Sequence, residues 1–379
     1  MKIVDLVKRE TARQAECIDL IASENYASDA VKAALASDFT NKYAEGYPGK
    51  RYYAGNEVVD EMENLVIGLA QKVFKTDYHV NTQAYSGSIA NLAVYFALLQ
   101  PGDPIMGLEL SHGGHLTHGH PITISGKTYN RTSYVVSQKG YRLDYGEIAK
   151  AAKASKPKLI ISGASAYPRT IDFARLSAIA KSVGAYHLAD ISHISGLVAT
   201  GLHPTPFGNA DIVTTTTHKL LRGPRGALIF CREDLAKQID KAVFPGIQGG
   251  PHENAIASIG VALEEASSPK YVEYCQAVLD NARELSQSLQ KEGITILTDG
   301  TDNHLMLIDL RPLGIDGTEA QSRLEKEKIV VNKNTIPYDD ASPMNPNGIR
   351  LGTPAITTKG MTTKDMPSLA KKIASILKR

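Results

Sequence analysis

The feature that most restricts the fold of this chain is a predicted buried strand that is followed at once by a lysine on a tight turn. Residues 212–217 form a β-branched run that predicts a strand, and His218 and Lys219 follow it. A turn rich in glycine, proline and arginine comes next, and the apolar residues 227–231 predict another strand. A lysine held there can lose solvent and charge, and a neutral amine can form a Schiff base. Taken alone, the segment also fits a solvated lysine on an ordinary turn.

The chain before residue 265 alternates short apolar runs with helical periodicity. Buried strands are predicted over Leu159–Ser162, Ala185–Asp190 and Ile212–Thr216, with a helix over Phe173–Val183. This alternation predicts an α/β fold with a mostly parallel sheet. Ligands of such sheets bind at the carboxyl ends of the strands, so the residues that follow each strand are the first candidates for a site.

A second, smaller domain is predicted after the segment 265–270. A long helix over 271–292 precedes short strands over 294–297, 304–310, 330–332 and 349–352, with helices over 318–328 and at the end of the chain. This pattern indicates an α/β unit with an antiparallel sheet. We therefore expect residues 1–265 to form an N-terminal segment and a large domain, and residues 266–379 to form a small C-terminal domain.

Charge and cysteine content exclude several classes of protein. The 42 basic and 40 acidic residues leave a net charge of +2, which gives no general attraction to nucleic acid or to anionic membranes. The 3 cysteines have no paired spacing, which argues against a disulfide framework and against a thiolate metal site. No apolar run reaches membrane-spanning length, and the first residues carry charges where a signal peptide is apolar. We expect a cytoplasmic protein.

Two groups of residues could join Lys219 in binding a phosphorylated pyridine ring. Asp190 ends a predicted strand, and a carboxylate there could keep a pyridine nitrogen protonated. Ser86, Gly87 and Ser88 precede an apolar stripe at helical spacing, and a helix N-terminus offers N–H groups to a phosphate. Helix capping is the alternative explanation for Asp190 and for one of the serines.

Histidines are concentrated between residues 112 and 120, at positions 112, 115, 118 and 120. A zinc site is one alternative, but no cysteine, aspartate or glutamate in the cluster completes a ligand set. Glycines between the histidines permit a close approach of the backbone to a flat ligand, on which an imidazole could stack.

Two polar segments fit a substrate site or an ordinary surface. Residues 41–53 combine tyrosines and glycines with Glu45, which predicts either an ordered loop around a polar ligand or a structural loop. Arg350 interrupts a short apolar run, where an inward-facing guanidinium would bind a carboxylate of a substrate or of the protein itself.

With these motifs the chain closely resembles the serine hydroxymethyltransferase family, which uses pyridoxal 5'-phosphate. The matching segments follow the family's order along nearly the whole chain: 20–26, 41–53, 112–119, 190–197, 214–226, 244–251 and 348–355. The resemblance implies an aminotransferase-like fold, with a mostly parallel seven-stranded sheet between helices and a smaller C-terminal α/β domain. It also implies reversible transfer of the hydroxymethyl carbon of serine to tetrahydrofolate, which gives glycine and 5,10-methylenetetrahydrofolate.

The resemblance implies a role for each matching residue. Lys219 would bind the cofactor covalently, Asp190 would pair with its ring nitrogen, His115 would stack on its ring, and His193 would lie near its phenolic oxygen. The other cofactor contacts would be Ser86, Gly87, Ser88, Ser165 and His218, together with Tyr43 and Gly250 of the partner subunit in a homodimer.

The substrate contacts are implied in the same way. Arg350 and Ser23 would bind the carboxylate of serine. Glu45 would be the acid and base at the serine hydroxyl, beside Tyr53, both from the partner subunit. The folate pocket would include Leu110, Leu116 and Asn334, and no metal is implied.

Some features depart from the family's pattern, and rival functions stay open. Ser192 stands where many members have a small apolar residue, and the termini are short, which favours a dimer over a tetramer. The one-carbon carrier is tetrahydrofolate or a modified pterin. The nearest alternative function is a folate-independent aldolase of the threonine aldolase type. The presence of Glu45 and Tyr53 makes this alternative less favoured. A catalytically silent scaffold is a rival of another class, against which the presence of Lys219 and Glu45 argues.

Overall fold

A computed structural model describes residues 2–379 of the chain as a set of helices and strands around two sheets. The strands are β1 (Ile18–Asp19), β2 (Gly46–Tyr47), β3 (Lys50–Arg51), β4 (His79–Asn81), β5 (Pro104–Leu108), β6 (Asn130–Tyr134), β7 (Leu159–Ser162), β8 (Tyr186–Asp190), β9 (Ile212–Thr216), β10 (Ala227–Cys231), β11 (Thr295–Ile296), β12 (Leu305–Asp309), β13 (Ile329–Val330), β14 (Asn332–Asn334) and β15 (Gly348–Gly352). The α-helices are α1 (Ile3–Glu16), α2 (Asp29–Leu35), α3 (Glu57–Phe74), α4 (Gly87–Leu98), α5 (Ile124–Thr128), α6 (Tyr145–Ser155), α7 (Phe173–Ser182), α8 (Ser195–Ala199), α9 (Ala236–Lys241), α10 (Glu253–Ala266), α11 (Pro269–Lys291), α12 (Gly317–Lys326), α13 (Pro354–Thr358) and α14 (Met366–Leu377).

The large sheet has seven strands in the order β4-β10-β9-β8-β7-β5-β6. The pairs from β9 to β6 are parallel, whereas β10 is antiparallel to both of its neighbours. The predicted α/β fold with a mostly parallel large sheet is thus confirmed. Because β8 and β9 are parallel neighbours, Asp190 and Thr216 come to the same edge of the sheet.

Both faces of the large sheet are covered, which explains its continuous apolar strands. Ile160 and Val213 pack into the core on one face, while Leu159, Ile161 and Ile212 pack into the core on the other. Successive side chains of a strand point to opposite faces, so a strand with both faces buried needs an apolar residue at almost every position.

The small sheet is antiparallel, as predicted, in the order β11-β12-β15-β14. It shares its core with α11, α12 and α14, and Leu20 of the N-terminal segment lies in that core as well. Arg350 is at the centre of β15, opposite Leu307 of β12 and Asn332 of β14.

The predicted single strand over residues 330–332 is wrong. The structure has two short strands there, because the chain changes partner at Val331. Carbonyls of Lys328 and Val330 accept hydrogen bonds from the backbone of Ile18 and Leu20, so β13 pairs with β1. β14 then pairs with β15.

Within residues 2–379, no helix has the combined length and apolar character needed to cross a lipid bilayer. Cys231 and Cys275 are buried and Cys17 is half-buried, all as free thiols.

Candidate active site

A cavity of about 360 Å³ opens at the carboxyl ends of β8 and β9, beside the N-terminus of α4. It brings together residues that are far apart in the sequence and that the sequence analysis had singled out. Those lining it are Ser23, Ser86, Gly87, Ser88, His115, Ser165, Asp190, His193, His218, Lys219 and Arg350. A cleft of this kind at strand ends is the usual ligand site of a parallel α/β sheet.

Lys219 is the buried amine of this cavity. The turn after β9 is tight, with Gly223 N donating to the carbonyl of Thr217 at 2.8 Å, and the side chain of Asn25 holds the Lys219 carbonyl at 3.0 Å. Burial lowers the pKa of Lys219 to about 8, although the charge of Asp190 acts in the opposite direction. The lysine is therefore partly neutral near neutral pH.

Asp190 is held by three groups at the end of β8. Its Oδ2 accepts from Asn91 Nδ2 at 2.9 Å and lies 3.2 Å from His118 Nε2, while its Oδ1 accepts from Ser192 N at 3.0 Å. Burial is the largest single cause and would raise its pKa, but the hydrogen bond and charge of His118, the charge of His115 and the hydrogen bond from Ser192 together outweigh burial and keep the pKa well below the usual range. Asp190 is thus an ionised carboxylate inside the cavity.

The N-terminus of α4 lies at the cavity, which Ser86, Gly87 and Ser88 line. Ser86 caps the helix, with its Oγ accepting from Ile89 N at 3.4 Å. A Cβ at Gly87 would lie 2.6 Å from the Cγ2 of Thr216, so any larger residue there would force the Thr216 side chain to shift. The nearby His218 Nδ1 is buried without a partner in the described part of the chain. These groups are donors that a phosphate would satisfy.

Within the histidine cluster, His115 and His118 both line the cavity, with their ring centroids 5.6 Å apart, whereas His112 does not line it. His115 lines the cavity, and burial lowers its pKa to about 4, so its ring is neutral. His118 turns to Asp190, and the ring of His112 packs edge-on against Tyr338 at 4.6 Å between centroids. Among residues 2–379, no three His, Cys, Asp or Glu side chains are arranged to hold a metal ion.

Arg350 enters the cavity from the small sheet. Its guanidinium donates to the Ser165 carbonyl at 2.6 Å, to Asn332 Oδ1 at 3.1 Å and to Ser23 Oγ at 3.4 Å. Burial lowers its pKa to about 10. Within the described residues no carboxylate is in ion-pair range of Arg350, so its charge is available to an anionic ligand.

A second cavity of about 360 Å³ adjoins the first and shares His115 and Ser165 with it. Leu110, Leu116 and Asn334 line this second cavity. The three residues thus lie together, next to the cavity of Lys219.

Four of the predicted site residues line neither cavity: Tyr43, Glu45, Tyr53 and Gly250. They lie together elsewhere on the same chain. The rings of Tyr43 and Tyr53 are 4.9 Å apart, and a Cβ built on Gly250 would lie 3.3 Å from Tyr43. A Cβ built on Gly249 would lie 3.3 Å from the carboxylate of Glu45.

Two residues that hold Asp190 were not assigned a role from the sequence. Asn91 is fully buried on α4, and a polar residue within that apolar stripe is the signal that could have revealed it. His118 belongs to the histidine cluster, but only the fold brings its ring to Asp190.

Comparison with known families agrees with this geometry. The model of the family described as Serine hydroxymethyltransferase matches residues 1–373, which include both sheets and both cavities. The mixed seven-stranded sheet flanked by helices is that of pyridoxal-phosphate enzymes of fold type I. The chain therefore belongs to the serine hydroxymethyltransferase family, the pyridoxal-phosphate-dependent enzymes that interconvert serine and glycine with tetrahydrofolate.

Proposed function

We propose that Lys219 is the residue that binds pyridoxal 5'-phosphate covalently in this hydroxymethyltransferase, and that the cavity around it is the active site. The observation that carries the proposal is the buried amine itself, whose pKa is lowered to about 8 by loss of solvent. A partly neutral lysine is the nucleophile that an aldehyde requires. When bound, the cofactor supplies an electron sink for the electrons of the broken Cα–Cβ bond.

The polar groups of the cavity fit the chemically different parts of this cofactor. The N-terminus of α4, with Ser86 and Ser88, and the unpartnered Nδ1 of His218 suit the phosphate. Asp190 stays ionised and so can hold a proton on the pyridine nitrogen. The neutral imidazole of His115 suits a stacking contact, since it adds no charge against the ring.

Arg350 and Ser23 are proposed to bind the carboxylate of serine. The guanidinium is buried and keeps its charge, and in the described residues no carboxylate pairs with it. A planar anion entering the cavity would pair with it and reduce the cost of burying the charge. Arg350 would thus orient the amino acid relative to Lys219.

We propose a homodimer in which each active site uses Glu45, Tyr53, Tyr43 and Gly250 of the partner subunit. Support comes from their position outside both cavities of their own chain and from two exposed tyrosine rings. Tyr43 and Tyr53 are 54% and 47% exposed. Large exposed aromatic rings grouped in one place are typical of an interface. Glu45 would then move the proton at the substrate hydroxyl.

The second cavity is proposed as the pocket for tetrahydrofolate or a related pterin. Leu110 and Leu116 offer apolar contacts, and Asn334 offers an amide to the ring edge. Because the pocket shares His115 and Ser165 with the first cavity, a carrier bound there would be next to the substrate.

Location and domain division are also proposed. The buried free thiols of Cys231 and Cys275 suit the reducing cytoplasm. A division into residues 1–265 and 266–379 is supported by the separate cores of the two sheets, although Leu20 packs with the second core and Tyr271, Cys275, Val278 and Leu279 of α11 pack with the first.

The experiment that tests the function is conversion of serine to glycine with and without tetrahydrofolate, in the wild type and in Glu45→Gln. We expect the wild type to depend on tetrahydrofolate, and the variant to bind the cofactor normally but lose at least about 100-fold in turnover, because the proton carrier is gone. The matched control is Glu57→Gln, which changes a nearby exposed glutamate. Unchanged serine turnover in Glu45→Gln would refute the role, and turnover that ignores tetrahydrofolate would favour the aldolase.

A further inference from the structure

Gln248 is a buried glutamine that lines neither cavity, and its side chain is bound to the segment that leads into α4. Its Oε1 accepts from Tyr85 N at 3.0 Å, and its Nε2 donates to the carbonyl of Gln83 at 2.8 Å. A backbone N–H only donates and a carbonyl only accepts, so these partners fix the orientation of the amide. Both ends of the amide are thus bound to the segment 83–85.

Tyr85 makes a second connection between this segment and the chain that follows Gln248. Its Oη donates to the carbonyl of Gly250 at 2.6 Å, and its ring stacks on His252 with 4.1 Å between centroids and an angle of 4°. Gln248 and Tyr85 together therefore attach the loop 248–252 to the segment before α4.

The anchoring segment is fixed by contacts that do not involve this loop. Gln83 N donates to Asn81 Oδ1 at 3.0 Å, and the carbonyl of Ala84 accepts from Ala227 N at 3.1 Å. Asn81 and Ala227 belong to β4 and β10 of the large sheet. We therefore expect the segment, and Ser86 that follows it, to keep their position when the contacts of the loop are lost.

The loop 248–252 has few other contacts that could hold it. Within residues 2–379, Gly249 and Gly250 donate no hydrogen bond to another backbone group. The same two glycines pack against Glu45 and Tyr43, at 3.3 Å from a Cβ built on each glycine. A loop released from its anchor would therefore leave Glu45 and Tyr43 without a fixed packing partner.

We propose that Gln248 and Tyr85 are positioning residues that hold the loop 248–252, and through it Tyr43 and Glu45, in the arrangement that the partner subunit's active site requires; this inference rests on the proposed function and its homodimer. The anchoring segment has its own contacts with the large sheet. A substitution of Gln248 should therefore impair the active site of the partner subunit and spare that of its own chain.

The test uses purified hybrid dimers of differently tagged chains, in which one chain has Lys219 and the other carries Lys219→Ala. Gln248→Met keeps the length of the side chain but loses both hydrogen bonds, and it is placed on either chain. On the Lys219→Ala chain, which would provide the loop of the one complete site, it should lower kcat at least about tenfold. The KM for serine should hardly change, since Arg350 and Ser23 belong to the other chain. On the chain with Lys219, kcat should equal that of the unsubstituted hybrid.

The matched control is Gln71→Met. Gln71 Nε2 donates to the carbonyl of Tyr78 at 3.0 Å, and this residue also lines neither cavity. Its substitution should leave kcat unchanged on either chain.

Tyr85→Phe provides a second test, which decides the matter if Gln248→Met does not fold. It keeps the ring on His252 and loses only the hydrogen bond to Gly250. It should lower kcat about fivefold, again only on the Lys219→Ala chain.

The outcomes separate this inference from the proposed function. An equal loss of kcat on either chain, or no loss on either, would overturn the inference and leave the function standing. A loss confined to the chain with Lys219 would mean that the loop serves its own chain, which contradicts both the inference and the proposed sharing of sites. A wild type that takes up no pyridoxal 5'-phosphate would refute the proposed function itself.

Discussion

Lys219 and Arg350 are two buried cationic side chains that face the same small cavity, and Asp190 is the carboxylate beside them. Loss of solvent lowers the pKa of both cations. The pKa of the lysine falls close enough to neutral pH for part of the amine to lose its proton. The guanidinium keeps its charge, because its ordinary pKa is far higher. One environment thus leaves a partly neutral amine beside a charged guanidinium.

The first prediction at this scale concerns the pH dependence of cofactor uptake. Only the neutral amine reacts with an aldehyde, so uptake should rise with pH and level off just above pH 8, the pKa of Lys219. An ordinary lysine, with a pKa of 10.5, would still be gaining reactivity two units higher. Stopped-flow absorbance after mixing apoenzyme with pyridoxal 5'-phosphate measures this profile. A rate that keeps rising beyond pH 10 would contradict it.

The second prediction concerns recognition of the substrate carboxylate. Arg350→Lys keeps a positive charge but loses the planar fork, so the KM for serine should rise about 30-fold or more. Serine amide, which has no carboxylate, is the matched substrate, and its KM should hardly change. Steady-state kinetics with both substrates checks the expectation, and an equal rise for both would mean that Arg350 does not bind the carboxylate.

At the residue scale, the sequence predicts side chains that follow a regular strand better than those that support them. Asp190 ends a predicted strand and Lys219 closely follows another, and the structure brings both to one cavity. Asn91 and His118 hold Asp190 from positions 99 and 72 residues away in the chain. Neither contact leaves a local pattern in the sequence.

At the scale of elements, the N-terminus of α4 is both capped by Ser86 and proposed to bind the phosphate. Ser86→Ala removes the cap of α4 and a hydroxyl of the cavity, so the Kd for pyridoxal 5'-phosphate should rise about tenfold. Pyridoxal without the phosphate should bind as well as it binds to the wild type. Equilibrium titration by absorbance measures both ligands.

Ser28→Ala is the matched control for this prediction. Ser28 caps α2 in the same way, with its Oγ accepting from Val31 N at 3.2 Å, and it lies outside the cavity. Ser86→Ala should lower the stability by about 1 kcal/mol and Ser28→Ala by more, because Ser28 Oγ also donates to Glu265 Oε1 at 2.5 Å. Only Ser86→Ala should weaken the binding of the phosphorylated ligand. Equal affinities of the two variants for that ligand would mean that α4 does not bind the phosphate.

Most buried elements could be predicted from the sequence, because their hydrophobic period is local. β7 and β9 have the predicted bounds, and α7 ends one residue before the predicted end at Val183. The strand predicted over 330–332 was wrong, since its pairing depends on residues 18–20 at the other end of the chain. Such a change of partner follows from the fold and not from the local sequence.

At the scale of the whole molecule, the proposed dimer predicts complementation between two inactive variants. Lys219→Ala lacks the amine, and Glu45→Gln lacks the acid and base that the partner subunit would provide. In an equal mixture, half of the dimers are hybrids and one of their two sites is complete, so about one quarter of the wild-type activity should return. Serine-to-glycine assays after subunit exchange measure the recovery. No recovery despite exchange would mean that each chain uses its own Glu45.

The proposed active site depends above all on a covalent bond between the nitrogen of Lys219 and pyridoxal 5'-phosphate. Its most direct test is borohydride reduction of the holoenzyme, followed by digestion and mass spectrometry of the peptides. We expect one pyridoxyl group per chain, attached to Lys219, and none in Lys219→Arg. Attachment to a different lysine, or no attachment in a yellow wild-type protein, would contradict it.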